Sequence, residues 1–400
     1  AGARAGGFWA QLRRWWASRR LLAQPMLAQQ WQQLQASVEA HQELARHTLE
    51  AGGNDNLATL LRQRRNQLST LSRALRSRSG ALRQDRFDKL DWSLLTSTFP
   101  VWVVSAHALS RSLPVNEPLF DLVVMDEATQ CNLPLALPAL QRARRAVVVG
   151  DPKQLRHFSF LARDRQQALA IQHGVSGAPL DLDYRERSLL DYALDAVASQ
   201  EAVAFLDEHF RSHPALIRFS NAEFYSDRLK VLTRLDNRES DQPLRLESCP
   251  VTLKDTVNLA EVDLVMARLR GLVEACRDLP DDRCPQIGVV AMSRALATVL
   301  ENRLLDSFDL ATLGRHNLRV GTPYAFQGEE RDFMLVATGV YPGRSAAAWR
   351  YLERPDVFNV AVTRVRHRQW LFVGEGALDE RPQGLLARYV ATVARQNDIA

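Results

Sequence analysis

Residues 119–130 read LFDLVVMDEATQ, an apolar run of strand-forming residues that ends in two adjacent carboxylates, Asp126 and Glu127. Residues 146–155, AVVVGDPKQL, repeat the arrangement with a second apolar run that ends in a Gly-Asp pair. Continuous apolar runs of this kind are typical of parallel strands covered on both faces, and the carboxyl ends of such strands are where open α/β sheets hold ligands. The two stretches therefore predict an α/β fold with polar residues gathered at its strand ends.

Adjacent carboxylates at a strand end can divide the work of nucleotide hydrolysis. We expect Asp126 to hold Mg²⁺ through its water shell and Glu127 to orient or deprotonate the attacking water. Gln154 follows the second strand and can lie beside a γ-phosphate, where it would sense the loss of that group. Together these residues predict a site for ATP and Mg²⁺.

The phosphate loop that such a site needs, G-x-x-x-x-G-K-S/T, does not occur in the 400 residues. None of the four lysines follows a glycine, and none precedes a serine or threonine. The lysines are Lys89, Lys153, Lys230 and Lys254. The chain thus contains most of a nucleotide-hydrolysing site without its phosphate cradle.

The composition argues against a membrane-spanning or disulfide-stapled protein. The hydrophobic content is 46%, yet no continuous run approaches the roughly 18 apolar residues of a membrane span. The four cysteines lie far apart without C-x-x-C pairs, and the opening residues show no apolar signal region, so we expect a reducing cytoplasm. The net charge of +5 permits a polyanionic partner without demonstrating one.

Residues 1–91 are predicted to form a helical region. Two sets of residues, on either side of a turn-type cluster at residues 51–56, follow a 4-3-4-3 spacing that predicts two heptad helices folded back as an antiparallel coiled-coil hairpin. The first set is Leu27, Trp31, Leu34, Val38, His41, Ala45 and Thr48, and the second is Leu57, Leu61, Arg64, Leu68, Leu71, Leu75, Arg78 and Leu82. Residues 62–83 contain seven arginines and no acidic residue. This second helix is either a solvated coiled-coil face or an arm that contacts phosphates.

From residue 92 onward, short β-rich runs alternate with helical ones, which predicts parallel sheets covered by helices. We expect residues 92–195 to be the C-terminal half of a first domain and residues 196–400 to be a second domain. The expected strands lie at residues 101–105, 119–125, 146–149, 203–206, 287–292, 318–320, 333–337 and 369–373.

The strand-end residues resemble motifs II and III of superfamily 1 helicases, D-E-A-x-Q and G-D-x-x-Q-L. The resemblance is to the branch that contains the nonsense-mediated-decay helicase and its DNA-processing relatives. Residues 208–214 (EHFRSHP), with FSN at 219–221 and FY at 224–225, resemble motif IV. Motif V is matched by GTPYAFQGEERD at 321–332 and motif VI by NVAVTRVR at 359–366. The matches follow the family order from about Thr96 to Gly374.

The resemblance implies two RecA-like P-loop NTPase domains, the first incomplete, with the coiled-coil hairpin inserted into the first domain. Motif I then belongs upstream of the hairpin, so we expect this chain to be the C-terminal portion of an ATP-dependent DNA or RNA helicase or translocase. Without the phosphate loop, this portion alone would not hydrolyse ATP. The alternatives are an ATPase-inactive nucleic-acid-binding or regulatory relic, and an ATP-driven remodeller that does not unwind.

The resemblance also assigns roles at the nucleotide. Arg211 and Arg364 would be arginine fingers that reach the γ-phosphate, where a guanidinium stabilises charge in the transition state. Glu330 would bind the ribose, and it is preferred to its neighbour Glu329 because the family pattern is Q-G-x-E-x-D. The Gln327-Gly328 pair would shape the turn that faces the cleft.

By the same resemblance, the nucleic-acid partner is single-stranded DNA or RNA, held mainly through its phosphates by hydroxyls and backbone amides. The expected contacts are Ser105, His107 and Thr322, with Ser220 and Asn221 as weaker candidates. Helix caps and turn hydroxyls remain the alternative for Ser105 and Ser220. We expect no membrane partner, and the protein partners are unknown.

Overall fold

The structure is a computed structural model that describes residues 25–114, 118–175, 185–233 and 242–397. The chain divides into two compact units, one of Ala1–Val123 with Pro138–Arg145 and the other of Val124–Leu137 with Ala146–Ala400. No described helix has both the length and the apolar character needed to span a bilayer.

The first unit is mainly helical. Its helices are α1 Pro25–Gln63, α2 Arg65–Leu75, α3 Gly80–Phe87, α4 Trp92–Thr98 and α5 Ala106–Ser112. Asp91 begins α4 by accepting a hydrogen bond from the backbone N–H of Leu94 at 3.0 Å, as N-cap aspartates do. A small core of Leu60, Ala74, Phe87, Leu90 and Leu95 holds α1 to the short helices.

The predicted hairpin turn at residues 51–56 is wrong, because α1 continues through it as one 39-residue helix. Gly52 and Gly53 have open space around them, and a helical glycine costs only about 1 kcal/mol relative to alanine. Leu60 is fully buried beyond that point and the end of α1 packs on α4, so packing outweighs the local turn signal. Residues 29–50 are exposed throughout, Trp31 and Leu34 included, so these positions of the first predicted seam set have no partner helix among the described residues.

The strands of the described residues, in order, are β1 Phe120–Met125, β2 Ala143–Val148, β3 Glu208–His209, β4 Lys230–Val231, β5 Leu244–Cys249, β6 Leu253–Lys254, β7 Val257–Asn258, β8 Ile287–Ala291, β9 Arg319–Gly321, β10 Arg331–Ala337 and β11 Val365–Gly374. β1 and β2 form a two-stranded sheet, and the second unit contains a five-stranded sheet in the order β5-β11-β10-β8-β9. All four pairings of the larger sheet are parallel, which confirms the predicted mixed α/β fold with a parallel sheet.

The remaining helices are α6 Leu133–Leu140, α7 Arg163–Gln172, α8 Leu189–Ala196, α9 Pro214–Tyr225, α10 Leu259–Ala275, α11 Arg294–Ser307, α12 Leu310–Arg315, α13 Ala346–Leu352, α14 Pro355–Thr363 and α15 Leu385–Asn397. Helices cover the five-stranded sheet on both faces. Successive β10 residues point to opposite cores, as the two-residue period of a strand requires. Met334 belongs to the core on one face that includes Phe219 of α9, whereas Leu335 belongs to the core on the other face that includes Val265 of α10.

Six of the eight expected strands match observed ones within a few residues, but residues 101–105 and 203–206 are not strands. Val103 is 97% exposed, and neither segment pairs with a strand in the described part of the chain. An apolar run without a neighbour to complete its backbone hydrogen bonds does not form a sheet strand. β5 was not predicted because its residues alternate between apolar and polar at the sheet edge, where it pairs with β11 alone.

Candidate active site

The loops that follow β1 and β2 remain paired beyond the strands. The Val149 N–H donates to the Met125 carbonyl at 2.8 Å, and the Ala128 N–H donates to the Val149 carbonyl at 2.9 Å. A Cβ on Gly150 would lie 3.3 Å from the backbone nitrogen of Thr129, tighter than ordinary van der Waals contact. Glycine therefore permits the close approach that brings the two predicted motifs together.

Glu127 adopts a left-handed backbone conformation, with φ 52° and ψ 41°. A non-glycine residue there costs on the order of 1 kcal/mol or more, and such outliers cluster at functional sites. The conformation leaves the carboxylate half-buried, with Oε2 accepting hydrogen bonds from Gln130 Nε2 at 3.2 Å and Gln327 Nε2 at 3.4 Å. The neighbouring Asp126 is exposed, and its Oδ1 accepts from the Glu127 N–H at 2.8 Å.

The Gln327-Gly328 turn lies beside this carboxylate. Gly328 has φ +73°, and a Cβ on it would be 3.9 Å from Glu127 Oε1. Gln327 Nε2 also donates to the Leu155 carbonyl at 3.4 Å, so one amide touches both strand-end loops. Leu155 itself is fully buried in the same core as Leu216, which anchors the second loop.

Arg364 is a buried guanidinium that meets the second loop. It follows α14, is 3% exposed, and donates to Gln154 Oε1 at 2.6 Å. Burial, and then the nearby charge of Arg211, lowers the pKa of Arg364, while the Glu127 carboxylate acts in the opposite direction. The Arg364 Nε has no hydrogen-bond partner among the described residues, so a buried donor remains available for an anion.

Arg211 is placed differently from Arg364. Its side chain is half-exposed and forms an ion pair with Glu330, the residue expected to bind ribose. Arg366 also donates to Glu330, at 2.7 Å, and reaches Asp332 at 2.9 Å. Glu330 therefore contacts two arginines, and a bound nucleotide would compete with them for its carboxylate.

Glu329 faces a separate pair of arginines. It contacts Arg319 and the buried Arg331, each at 2.8 Å. Of the two neighbouring carboxylates, only Glu330 therefore contacts an arginine expected to reach the γ-phosphate, Arg211.

The residues expected to contact nucleic acid differ in accessibility. Ser105 and His107 are exposed, although the Ser105 hydroxyl also caps α5 by accepting from the Ala108 N–H at 3.3 Å. Thr322 is half-buried, and its side chain makes no capping hydrogen bond to the turn that it begins. Ser220 is fully buried, and the Asn221 side chain hydrogen-bonds the backbone N–H and carbonyl of Leu229. Neither side chain is therefore positioned to contact nucleic acid in this structure.

Three residues at the site were assigned no role from the sequence. Asp151 accepts a hydrogen bond from Gln154 Nε2 at 3.0 Å and one from the Tyr225 hydroxyl at 2.6 Å. Asn359 donates to the same hydroxyl at 2.9 Å. All three lie inside quoted motifs, but 74 residues separate Asp151 from Tyr225, and no spacing rule predicts that they touch.

The donor set at the first strand end fits a hard divalent cation. Carboxylate oxygens suit Mg²⁺, which keeps several waters and is usually held by one or two carboxylates together with substrate phosphates. Among the described residues, no group of three or more His, Cys, Asp or Glu side chains could hold a metal ion. Asp126 would therefore hold such an ion together with phosphate and water oxygens.

Two family models, each described as an AAA domain, match residues 19–159 and 185–376. The "Uncharacterized ATP-dependent helicase MG140" of Mycoplasma genitalium is 26% identical over 71% of this chain and 26% of its own length. The "Putative helicase mov-10-B.1" of Danio rerio is 26% identical over 66% of this chain and 28% of its own. "Helicase SEN1" of Saccharomyces cerevisiae is 24% identical over 67% of this chain and 12% of its own.

A solved structure of the PRRSV helicase covers 64% of this chain and 36% of its own, with 14% identity and a TM-score of 0.32, too low to support an inference. The sequence matches place the chain among the helicases. It belongs to superfamily 1, in the branch that contains the nonsense-decay helicase and its DNA-processing relatives. The chain spans about a quarter of the length of its two Mycoplasma relatives, 26% of each.

Proposed function

We propose that this chain forms part of an ATP-dependent motor that moves along single-stranded nucleic acid. One observation carries the proposal: residues of motifs V and VI meet both strand-end loops. Gln327 contacts Glu127, and the buried Arg364 contacts Gln154 at 2.6 Å. Buried charges are retained where they are paired or used, and this one faces the residues suited to nucleotide hydrolysis. The assignment of residues 92–195 and 196–400 to two RecA-like domains is part of the same proposal.

The role proposed for each residue follows from its position and charge. Glu127 takes the proton of the attacking water, and Asp126 holds the ion that, when bound, neutralises phosphate charge. Arg364 stabilises developing negative charge from a desolvated position, where a guanidinium has its largest effect. Arg211 supplies a second guanidinium when Glu330 exchanges it for the ribose.

The residues proposed to contact the nucleic acid are Ser105, His107 and Thr322, which are exposed or half-buried. Hydroxyls and an imidazole can bind phosphates of either DNA or RNA, so the shared partner is a single-stranded polynucleotide. Whether single-stranded DNA, single-stranded RNA, both or neither stimulates ATP hydrolysis identifies the polynucleotide.

The test uses protein made from its complete reading frame, with ATP turnover measured in the presence and absence of single-stranded DNA and RNA. Glu127→Gln should lower kcat by at least about 100-fold, because a positioned general base contributes roughly 10² to 10⁴. Binding of ATP should remain, since the amide keeps the shape of the side chain. Glu301→Gln, on the exposed face of α11, is the matched control and should leave kcat unchanged.

Equal turnover in Glu127→Gln and wild type would remove Glu127 as the base. A wild-type protein that binds nucleic acid without hydrolysing ATP would instead be the nucleic-acid-binding relic. Hydrolysis and translocation without strand displacement would identify the remodeller.

A further inference from the structure

A partly buried hydrogen-bond cluster joins the second strand-end loop to α9 and α14. Tyr225, the last residue of α9, donates its hydroxyl proton to Asp151 Oδ2 at 2.6 Å. The same hydroxyl accepts from Asn359 Nδ2 at 2.9 Å, and that amide also donates to the Lys153 carbonyl at 3.0 Å. Both α9 and α14 are thereby tied to the loop that contains Gln154.

The Asp151 carboxylate determines which end of the Gln154 amide faces Arg364. Its Oδ2 accepts from Gln154 Nε2 at 3.0 Å, which turns Gln154 Oε1 toward the guanidinium at 2.6 Å. A rotated amide would set NH₂ against the guanidinium, two donors with no acceptor between them. The orientation of Gln154 therefore depends on where the Asp151 carboxylate is held.

Among the described residues, the Tyr225 hydroxyl is the side-chain group outside the loop that hydrogen-bonds the Asp151 carboxylate. Asp151 Oδ1 accepts from the Lys153 N–H at 2.9 Å, and this contact lies within the loop itself. Burial, reinforced by the Asp151 charge, raises the pKa of Tyr225 above its usual value, so the hydroxyl keeps its proton and donates over the whole working range of pH.

We propose that Tyr225 is a positioning residue for ATP hydrolysis: with Asn359, it holds Asp151 so that Gln154 presents Oε1 to Arg364. Tyr225 touches neither the reacting atoms nor Arg364 by hydrogen bonding, and acts through two intervening side chains. The inference rests on the proposed function and deepens it, because it names how motif IV acts on motifs III and VI.

The chain offers a matched control for removal of this hydroxyl. Tyr341 is buried, whereas Tyr225 is partly buried, and the Tyr341 hydroxyl likewise makes one donated and one accepted bond, to the Thr256 carbonyl at 3.3 Å and from Arg344 at 2.9 Å. Tyr341→Phe therefore removes the same chemical group with the same number of bonds. No bond of Tyr341 reaches the strand-end loops.

The first measurement is steady-state ATP hydrolysis by the complete protein with saturating single-stranded nucleic acid. In Tyr225→Phe, kcat should fall about tenfold and KM for ATP should change less than about twofold, because the lost contact orients a charge stabiliser and does not bind substrate. Tyr341→Phe should keep wild-type kcat and KM even if its thermal stability falls equally. A kcat that falls equally in both variants, or in neither, would overturn the positioning role.

The second measurement does not depend on turnover. Hydrogen exchange followed by mass spectrometry should show faster exchange at residues 150–155 in Tyr225→Phe, since the Lys153 amide depends on Asp151. Tyr341→Phe should instead affect residues near 256 and 344. Unchanged exchange at residues 150–155 in Tyr225→Phe would overturn the inference by itself. A wild-type protein without ATPase activity would overturn the proposed function, and with it the role in hydrolysis that rests on it.

Discussion

The guanidinium of Arg364 and the Oε1 atom of Gln154 are 2.6 Å apart, although 210 residues separate them in the chain. The bond neutralises no charge, because an amide oxygen is its acceptor. The positive charge of Arg364 consequently stays available in a buried site, close enough for Glu127 to influence its pKa. A buried cation without a direct carboxylate partner is costly for stability, and its retention fits a role toward an anionic ligand.

Arg364→Lys should lower kcat for ATP by about 100-fold or more, with a smaller effect on KM. Arginine fingers contribute roughly 10³ to 10⁵, and an ammonium lacks the planar fork that can bond Gln154 and a phosphate together. Steady-state kinetics of the complete protein check this. Arg303→Lys, in a long surface ion pair with Asp263 at 3.8 Å, should leave both constants unchanged. Full turnover in Arg364→Lys would show that only positive charge is needed there.

Arg211→Ala should affect activity far more than stability. The pair with Glu330 is 44% and 28% exposed, and ion pairs of such exposure contribute roughly 0 to 1 kcal/mol. We therefore expect the free energy of unfolding to change by less than about 1 kcal/mol while kcat falls at least about 100-fold. Urea unfolding and ATP turnover provide the two readouts. Arg388→Ala, which breaks a similarly exposed pair with Glu223, should match the stability change with normal turnover. Loss of stability without loss of turnover would make Arg211 a structural residue.

Stability should fall with rising pH because of Glu261. This side chain is fully buried at the start of α10, and burial raises its pKa from 4.5 to about 8, although the Gly339 N–H donates to it. The folded protein therefore binds this proton more tightly than the unfolded chain. The associated stability is complete below the unfolded pKa of 4.5 and is lost as pH rises through about 8.

Urea unfolding at a series of pH values from about 5 to 9 tests this dependence. Glu261→Gln, which cannot ionise, should flatten the decline and be the more stable form at the alkaline end. Glu274→Gln, an exposed change on the same helix, should keep the wild-type slope. Parallel pH profiles for wild type and Glu261→Gln would exclude Glu261 as the cause.

Local pattern predicted the strands that lie inside a covered parallel sheet. β8 and the C-terminal parts of β10 and β11, residues 333–337 and 370–373, are continuous apolar runs because helices bury both faces of the sheet there, and a sequence records that burial residue by residue. The same reasoning failed at residues 101–105, where the apolar run has no paired neighbour, and at residues 51–56. There, distant packing of Leu60 kept α1 helical through two glycines.

For the candidate site, too, the sequence and the tertiary structure supplied different information. Sequence alone selected the residues proposed to carry the chemistry, Asp126, Glu127, Gln154, Arg211 and Arg364, since each sits in a short motif with its own spacing. Only the tertiary structure decided how they are engaged: Arg211 on Glu330, Arg364 on Gln154, and Ser220 inside the core. It also placed the Tyr225 hydroxyl on Asp151. The reason is physical, because a motif reflects local backbone geometry, whereas the orientation of an amide or an ion pair depends on side chains that folding brings from far along the chain.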